Sequence, residues 1–100
     1  MAKVELHIHP PLSYKMPSKR VGPLILEEEI DRGETLGDLL ARLENGNHKA
    51  WEQIFDAKTH RIRPAIMTIF NGTALAFSEA PQTRLSDSDR IVFRVAYGGG

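Results

Sequence analysis

Hydrophobic and polar residues alternate at both ends of the chain, which is the pattern of half-buried β-strands. In the segment 3–9 the apolar face carries Val4, Leu6 and Ile8, and the intervening residues are polar. The segment 90–97 has the same period of two and is rich in β-branched and aromatic residues. One face carries Ile91, Phe93, Val95 and Tyr97, and the other carries Arg90, Val92, Arg94 and Ala96. We expect the first of these faces to be buried and the second to point outward.

The middle of the chain has the period of an amphipathic helix. Leucines recur there at i, i+3, i+4 and i+7, namely Leu36, Leu39, Leu40 and Leu43. Thr35 is a good N-cap, and Asp38 three residues later gives a variant of the capping box. The Asn-Gly pair at 45–46 is typical of a helix end. We therefore predict the main helix from Leu36 to this pair and expect the leucine stripe to pack in the core.

The remaining segments predict two further strands, a hairpin and a short helix. A strand over 24–30 alternates less regularly, which suits an edge position or a bulge. Apolar residues at helical spacing predict a second helical piece over 48–58, namely Ala50, Trp51, Ile54 and Phe55. The pair Asn71-Gly72 is a strong signal for a two-residue hairpin loop between strands over 65–70 and 73–77. The order of elements therefore predicts an α+β fold: a mixed sheet of about five strands on one main helix plus a short second helix.

Composition and charge exclude several classes of function. The 100 residues are 41% hydrophobic and 26% charged, as in an ordinary globular domain. Thirteen basic and thirteen acidic residues cancel, so binding of nucleic acid through its phosphates is not expected. No apolar run reaches the roughly 18 residues of a membrane helix, and the first residues lack the apolar core of a signal peptide. We expect a cytoplasmic protein that binds neither nucleic acid nor membrane.

The chain offers few groups for catalysis or metal binding. It contains no cysteine, which excludes disulfides, zinc–thiolate sites, a thiol nucleophile and a cysteine-held iron–sulfur cluster. His7 and His9 share a face of the first strand, but no further ligands are evident nearby, so no metal site is predicted. Asp87 and Asp89 lie two residues apart in a turn, a spacing that suits turn hydrogen bonding. We predict no catalytic residue, and a protein substrate rather than an enzyme.

The chain ends in three glycines, Gly98, Gly99 and Gly100. Because glycine makes up about 7% of average sequence, three in succession at a terminus are not expected by chance. Glycine alone allows close backbone approach on all sides, so a side-chain-free tail could enter a narrow active site of another protein. A frayed end is the structural alternative. We expect a domain over 1–97 and a flexible tail over 98–100.

Three motifs in the last third of the chain carry a family resemblance. They are Phe70-Asn71-Gly72, the segment 85–91 (Leu-Ser-Asp-Ser-Asp-Arg-Ile) and the terminal Gly-Gly. Together they resemble the sulfur-carrier branch of the ubiquitin-like β-grasp proteins, which includes the small subunit of molybdopterin synthase (MoaD) and the thiamine-pathway sulfur carrier (ThiS). The predicted element order agrees with a β-grasp. Ser88 stands where that family has a turn glycine, and Gly98 precedes the customary pair.

The resemblance implies a mechanism centred on Gly100. In the family an activating enzyme uses ATP and magnesium to adenylate the terminal glycine, and a sulfur donor then leaves a thiocarboxylate on it. By analogy Gly100 would hold the sulfur, Gly98 and Gly99 would thread into a partner's active site, and Val92 and Arg94 would belong to a docking surface. The implied partners are an activating enzyme and a large synthase subunit or other sulfur acceptor enzyme. The chain itself would bind no cofactor.

The resemblance leaves the pathway and the use of the tail open. The segment between helix and third strand favours molybdopterin or tungstopterin synthesis over thiamine synthesis, because the thiamine-type carriers are more compact. A second interpretation is a ubiquitin-like modifier joined through Gly100 to a lysine of another protein. A third is a non-covalent β-grasp subunit with an idle tail.

Overall fold

The computed structural model describes residues 2–10, 12–16, 22–46 and 49–96. Within them the strands are β1 Lys3–Ile8, β2 Leu24–Glu29, β3 Phe55–Asp56, β4 Arg61–Ile62, β5 Ile66–Phe70, β6 Thr73–Leu75 and β7 Arg90–Val95. The α-helix α1 spans Leu36–Gly46, and short 3₁₀ helices span Leu12–Lys15, Lys49–Gln53 and Ala80–Gln82.

Five strands form one mixed sheet in the order β2-β1-β7-β5-β6. The first and last strands of the chain, β1 and β7, lie side by side and parallel, and every other neighbouring pair is antiparallel. The helix α1 packs on one face of this sheet through shared core residues. The predicted α+β architecture of a five-stranded mixed sheet over one main helix is therefore confirmed.

The burial of the strands and helix follows the periodicity of the sequence. On β1 the residues Val4, Leu6 and Ile8 are buried, and on β7 the residues Ile91 and Phe93 are fully buried while Arg94 is exposed. Three of the four leucines of α1 are fully buried, and Leu43 is half-buried against the same core. Among the described strands, β2 has β1 as its single neighbour, so its predicted edge position is confirmed.

The start of α1 has the predicted capping arrangement. The amide of Asp38 donates to Thr35 Oγ1 at 3.1 Å, and the amide of Thr35 donates to Asp38 Oδ2 at 3.2 Å. These reciprocal bonds satisfy amides at the helix start that have no partner within the helix.

The prediction of a helix over 48–58 is wrong beyond its first turn. The 3₁₀ helix ends at Gln53, and Phe55–Asp56 pairs with Arg61–Ile62 in a separate two-stranded sheet. Phe55 and Ile62 face each other and are both buried, so burial of Phe55 needs no helix. His60 closes the connecting turn with a φ of 58°, and its ring stands edge-on to Phe55 at 5.3 Å. His48, where the predicted helix began, lies outside the described residues.

The return strand of the hairpin is shorter than predicted. The strand β6 ends at Leu75, and the carbonyl of Ala76 then accepts hydrogen bonds from the amides of Glu79 and Ala80. This turn removes Phe77 from the sheet and leaves 49% of its surface exposed. The last strand ends at Val95; Tyr97, predicted on its buried face, lies outside the described residues.

The centre of the sheet contains one hydroxyl that is buried without a partner. Thr68 on β5 is 1% exposed, and its Oγ1 has no hydrogen-bond partner among the described residues. An unmade hydrogen bond in a protein interior costs about 1–3 kcal/mol. We therefore expect Thr68→Val, which keeps the shape and removes the hydroxyl, to raise the free energy of unfolding by about 1 kcal/mol in urea denaturation.

The matched control is Thr73→Val on the exposed edge strand β6, for which we expect a change below about 0.5 kcal/mol. A loss of stability in Thr68→Val would contradict the assignment of this hydroxyl as unsatisfied.

Candidate functional site

The candidate site is the end of β7, the strand that leads into the three glycines. Hydrogen bonds hold this strand on both sides close to its end. The amide of His9 donates to the carbonyl of Phe93 at 3.0 Å, and the amide of Ala96 donates to the carbonyl of Ala65 at 2.7 Å. Gly98, Gly99 and Gly100, and with them the predicted domain boundary after residue 97, lie outside the described residues. The chain is thus fixed in the sheet up to four residues before Gly100.

The start of β7 is tied to the hairpin by the side chains of Asn71 and Asp89. Asn71 Nδ2 donates to Asp89 Oδ1 at 2.9 Å, and the amide of Arg90 donates to Asn71 Oδ1 at 2.8 Å. The other carboxylate oxygen of Asp89 accepts the amide of Ser86 at 2.7 Å. A carboxylate and an amide together therefore join two loops that lie 18 residues apart in the sequence.

The same turn is bound to the first strand through its backbone and through Asp87. The amide of Lys3 donates to Asp87 Oδ1 at 2.9 Å, and the carbonyl of Lys3 accepts the amide of Ser88 at 2.7 Å. The amide of Glu5 donates to the carbonyl of Asp89 at 2.9 Å. Both aspartates of the turn thus make structural hydrogen bonds, as their spacing predicts, and they set the parallel register of β1 and β7.

Two turns beside β7 contain residues with a left-handed backbone. In the hairpin Asn71 and Gly72 have φ values of 48° and 88°, the conformation of a two-residue loop that suits the twist of the strands. Ser88 has a φ of 72° although it is not glycine. The turn therefore keeps the backbone geometry that a glycine would adopt freely, and Ser88 adopts it with steric strain.

Val92 lies in a row of side chains that crosses the sheet on the face opposite α1. The strand register joins one residue from each strand into this outer row, which consists of Ile25, His7, Val92, Ile69 and Ala74. Ile25 is 52% exposed, Ala74 is exposed, and Val92 and Ile69 are half-buried. The outer row is apolar except at His7, and charged residues of the same face lie beside it.

Arg94, the second predicted docking residue, is exposed and lies opposite Met67 of β5, next to the outer row. The sequence analysis named Val92 and Arg94 for the docking surface and did not name Ile25, Ile69 and Ala74, which lie in the outer row with Val92. The alternation along β5 and β2 indicates which of these face outward, but only the strand register shows that they align.

His7 forms a hydrogen bond with the carboxylate of Glu5, two residues earlier on the same strand. Its Nε2 lies 3.0 Å from Glu5 Oε1, and the Nε of Arg90 lies 3.6 Å from the same oxygen. The hydrogen bond with His7 is the main reason that the pKa of the Glu5 carboxyl is below its usual value, and the charge of Arg90 adds to the effect. Within the described ranges no three His, Cys, Asp or Glu residues are placed to hold a metal ion.

This fold, with the first and last strands parallel at the centre of a five-stranded sheet over one helix, is the ubiquitin-like β-grasp. The family model described as the ThiS family matches residues 19–100. The chain therefore belongs to the ThiS family, which confirms the resemblance to ubiquitin-like sulfur carriers.

Solved structures of archaeal proteins have the same fold. SAMP1 from Haloferax volcanii is 21% identical with a TM-score of 0.71, and the match covers 99% of this chain and 100% of that one. The small archaeal modifier protein 1 (SAMP1) from Methanosarcina acetivorans is 26% identical with a TM-score of 0.67, over 100% and 98% of the two chains. The HVO 2177 protein of Haloferax volcanii is 19% identical with a TM-score of 0.71, over 99% and 87%. The comparison with curated proteins found no match.

Among the helices in the described part of the chain, none combines the length and the apolar character needed to cross a membrane.

The strain at Ser88 gives a direct test of the turn geometry. We expect Ser88→Gly to raise the free energy of unfolding by about 0.5–1 kcal/mol, because glycine adopts a positive φ without steric cost. The measurement is urea denaturation followed by circular dichroism.

The control is Ser86→Gly, two residues earlier in the same turn and without a positive φ. There the added freedom of the unfolded chain should leave stability unchanged or slightly lower. If Ser88→Gly were no more stable than Ser86→Gly, the left-handed conformation at residue 88 would be wrong.

Proposed function

We propose that this protein is a sulfur carrier whose terminal carboxylate, on Gly100, is activated and converted to a thiocarboxylate. The observation that carries the proposal is a Gly-Gly-Gly sequence that begins three residues after the end of the central strand β7 in a member of the ThiS family. Hydrogen bonds hold the chain as far as Phe93 on the side of β1 and as far as Ala96 on the side of β5, so a partner that binds the sheet also fixes the point from which the last residues lead.

The proposed reaction requires only one reactive group from this chain, the carboxylate of Gly100. A carboxylate is a poor electrophile, because its charge is delocalised and its oxygen leaves badly. One oxygen of the Gly100 carboxylate attacks the α-phosphorus of ATP and displaces pyrophosphate, which gives an acyl-adenylate. A persulfide then displaces AMP to form an acyl disulfide, and a thiol cleaves its sulfur–sulfur bond to leave the thiocarboxylate. ATP and magnesium belong to the activating enzyme, so the chain is a protein substrate in this reaction.

The glycines contribute access. Gly98 and Gly99 have no side chains, so the backbone can approach the walls of a narrow channel. Ala96 is the last described residue, and an extended chain gains about 3.3 Å per residue. In an extended conformation the four residues after Ala96 would span roughly 13 Å, which would let Gly100 reach an active site below the surface of a partner.

The outer row supplies the docking surface in this proposal. Val92 lies at its centre, and Arg94 adds a positive charge between the row and the tail. An apolar centre with a charged rim is the usual composition of a protein interface. We assign this face to the activating enzyme and to the acceptor, which is a large synthase subunit or another sulfur acceptor enzyme.

For the pathway we propose molybdopterin or tungstopterin synthesis, with thiamine synthesis as the alternative. The support is the segment between α1 and β5, which holds the 3₁₀ helix Lys49–Gln53 and the β3–β4 hairpin. In this role the chain is the small subunit of a two-component synthase.

A second candidate function is protein modification. The solved relatives that span almost this entire chain include proteins named small archaeal modifier protein 1, which favours this use of the tail. Here a lysine amine displaces AMP from the Gly100 adenylate and forms an isopeptide bond. Both functions require activation of Gly100, whereas a subunit with an idle tail does not.

The test is intact mass spectrometry after incubation with a ThiS-family activating enzyme, ATP, magnesium and a persulfide donor. We expect the mass gain of one sulfur-for-oxygen exchange, located in the C-terminal peptide. The control lacks Gly99 and Gly100; it should keep the circular dichroism spectrum and show no gain. An unmodified full chain, together with a truncated variant that retains function in cells, would contradict both the carrier and the modifier.

The docking surface is tested by Val92→Asp, which places a charge at the centre of the outer row. We expect the KM for the activating enzyme to rise at least about tenfold, as for the loss of a central interface residue, in an ATP–pyrophosphate exchange assay. The control is Phe77→Asp, an exposed apolar residue outside the row, which should leave KM within about twofold. Equal effects of the two variants would exclude the outer row as the docking surface.

A further inference from the structure

We propose that the free edge of β2 binds an extended, basic segment of another protein, which adds to the sheet as a sixth strand. This inference goes beyond the proposed function, because it concerns the edge of the sheet rather than the outer row or the glycine tail.

The hydrogen-bond pattern shows which backbone groups of β2 point away from the sheet. The amide of Ile30 donates to the carbonyl of Ala2, so even-numbered residues bond to β1. Antiparallel pairing alternates, and the odd-numbered residues Ile25, Glu27 and Glu29 therefore direct their amide and carbonyl groups outward. The guanidinium of Arg42 confirms this direction, because its Nη2 donates to the carbonyl of Glu29 at 2.9 Å.

Arg42 closes one end of this edge and leaves the rest open. The carboxylate of Glu34, 9% exposed, holds the guanidinium by bonds of 3.2 Å from Nε and 3.1 Å from Nη2. Among the described residues, no backbone group bonds to the outward amides of the three odd positions or to the carbonyls of Ile25 and Glu27. The other edge of the sheet, β6, has only three residues, so β2 is the longer template for an added strand.

The charge of β2 indicates which kind of strand can pair with its free edge. Three successive glutamates, Glu27, Glu28 and Glu29, line the second half of β2. Two copies of β2 paired edge to edge would bring these carboxylates together, which disfavours a second copy of this chain. Lysine or arginine side chains of an added strand would instead lie beside them.

The arrangement of the glutamates on β2 differs from that of charges that only prevent aggregation at a sheet edge. Glu27 lies directly opposite Glu5, a like-charge pair that costs stability. His7 and Arg90 compensate Glu5, whereas Glu27 has no salt bridge among the described residues. Glu28 is half-buried on the core side of the strand, and this burial raises the pKa of its carboxyl. A cationic side chain on the outer face of an added strand would compensate Glu27, which has no such partner among the described residues.

The experiment uses the full chain, labelled with ¹⁵N, and three synthetic peptides. The first alternates lysine and valine over seven residues; the second has glutamate in place of lysine; the third is the first with its backbone amides methylated at alternate positions. We expect the lysine peptide to shift the amide signals of Ile25, Glu27 and Glu29 saturably. The glutamate peptide should not bind, and methylation should weaken binding at least tenfold, because it removes the main-chain hydrogen bonds.

A pair of double variants separates this edge from general acidity. We expect Glu27→Gln with Glu29→Gln to weaken the lysine peptide at least tenfold. Glu52→Gln with Glu79→Gln, which removes two exposed carboxylates from other elements, should leave its affinity within about twofold. The variant Val92→Asp should bind the lysine peptide as the wild type does. A failure of the proposal for the β2 edge is therefore distinguishable from a failure of the proposal that partners dock on the outer row.

Four results would overturn the proposal. They are no saturable shift up to about 1 mM peptide, equal binding of the methylated peptide, shifts centred on Val92 instead of β2, and shifts of the β2 amides that grow with protein concentration alone. The second would indicate simple attraction of cations, and the last would make a second copy the occupant.

Discussion

The parallel pairing of β1 with β7 is the constraint on which the rest of the structure depends. The strands β1 and β7 are far apart in the sequence. They can pair in parallel only if the intervening segment brings β7 back beside β1 in the correct register. The turn at 86–89 fixes that register, since Asp87 and the backbone of Ser88 bond to Lys3 while Asp89 bonds to Asn71. The geometry of the turn thus has a structural reason: it holds the strand that leads into the three glycines.

The proposed function requires little reactive chemistry of this chain. The described residues form a strand held on both sides, an apolar outer row and an acidic edge. In the proposals above, the outer row and the acidic edge bind partners, and the reactive group is the carboxylate of Gly100. The nucleotide, the metal and the sulfur would then come from the partners, while this chain would supply the surfaces that they bind.

Much of the fold could be predicted from the sequence, because period-two and helical patterns report burial directly. The faces of β1 and β7, the cap at Thr35 and the edge position of β2 follow from them. The segment 48–62 could not be predicted in the same way: Trp51, Ile54 and Phe55 have helical spacing, yet a 3₁₀ turn followed by an extended pair buries all three. For the candidate docking surface, alternation within one strand predicts that Val92 and Arg94 point outward, and the structure places them so. Their role in docking stays a prediction. The outer row depends on the register of four strand pairings, which no single segment encodes.

The central claim is that Gly100 is the activated residue, and the most direct test is the state of that residue in cells. Cleavage of the native protein before aspartate releases a C-terminal peptide that begins at Asp89 and ends, on this account, at Gly100. Mass spectrometry should find a fraction of this peptide with a thiocarboxylate in place of the terminal carboxylate. A peptide that continues beyond Gly100, or one that carries only an unmodified carboxylate while the partner pathway is active, would contradict the account.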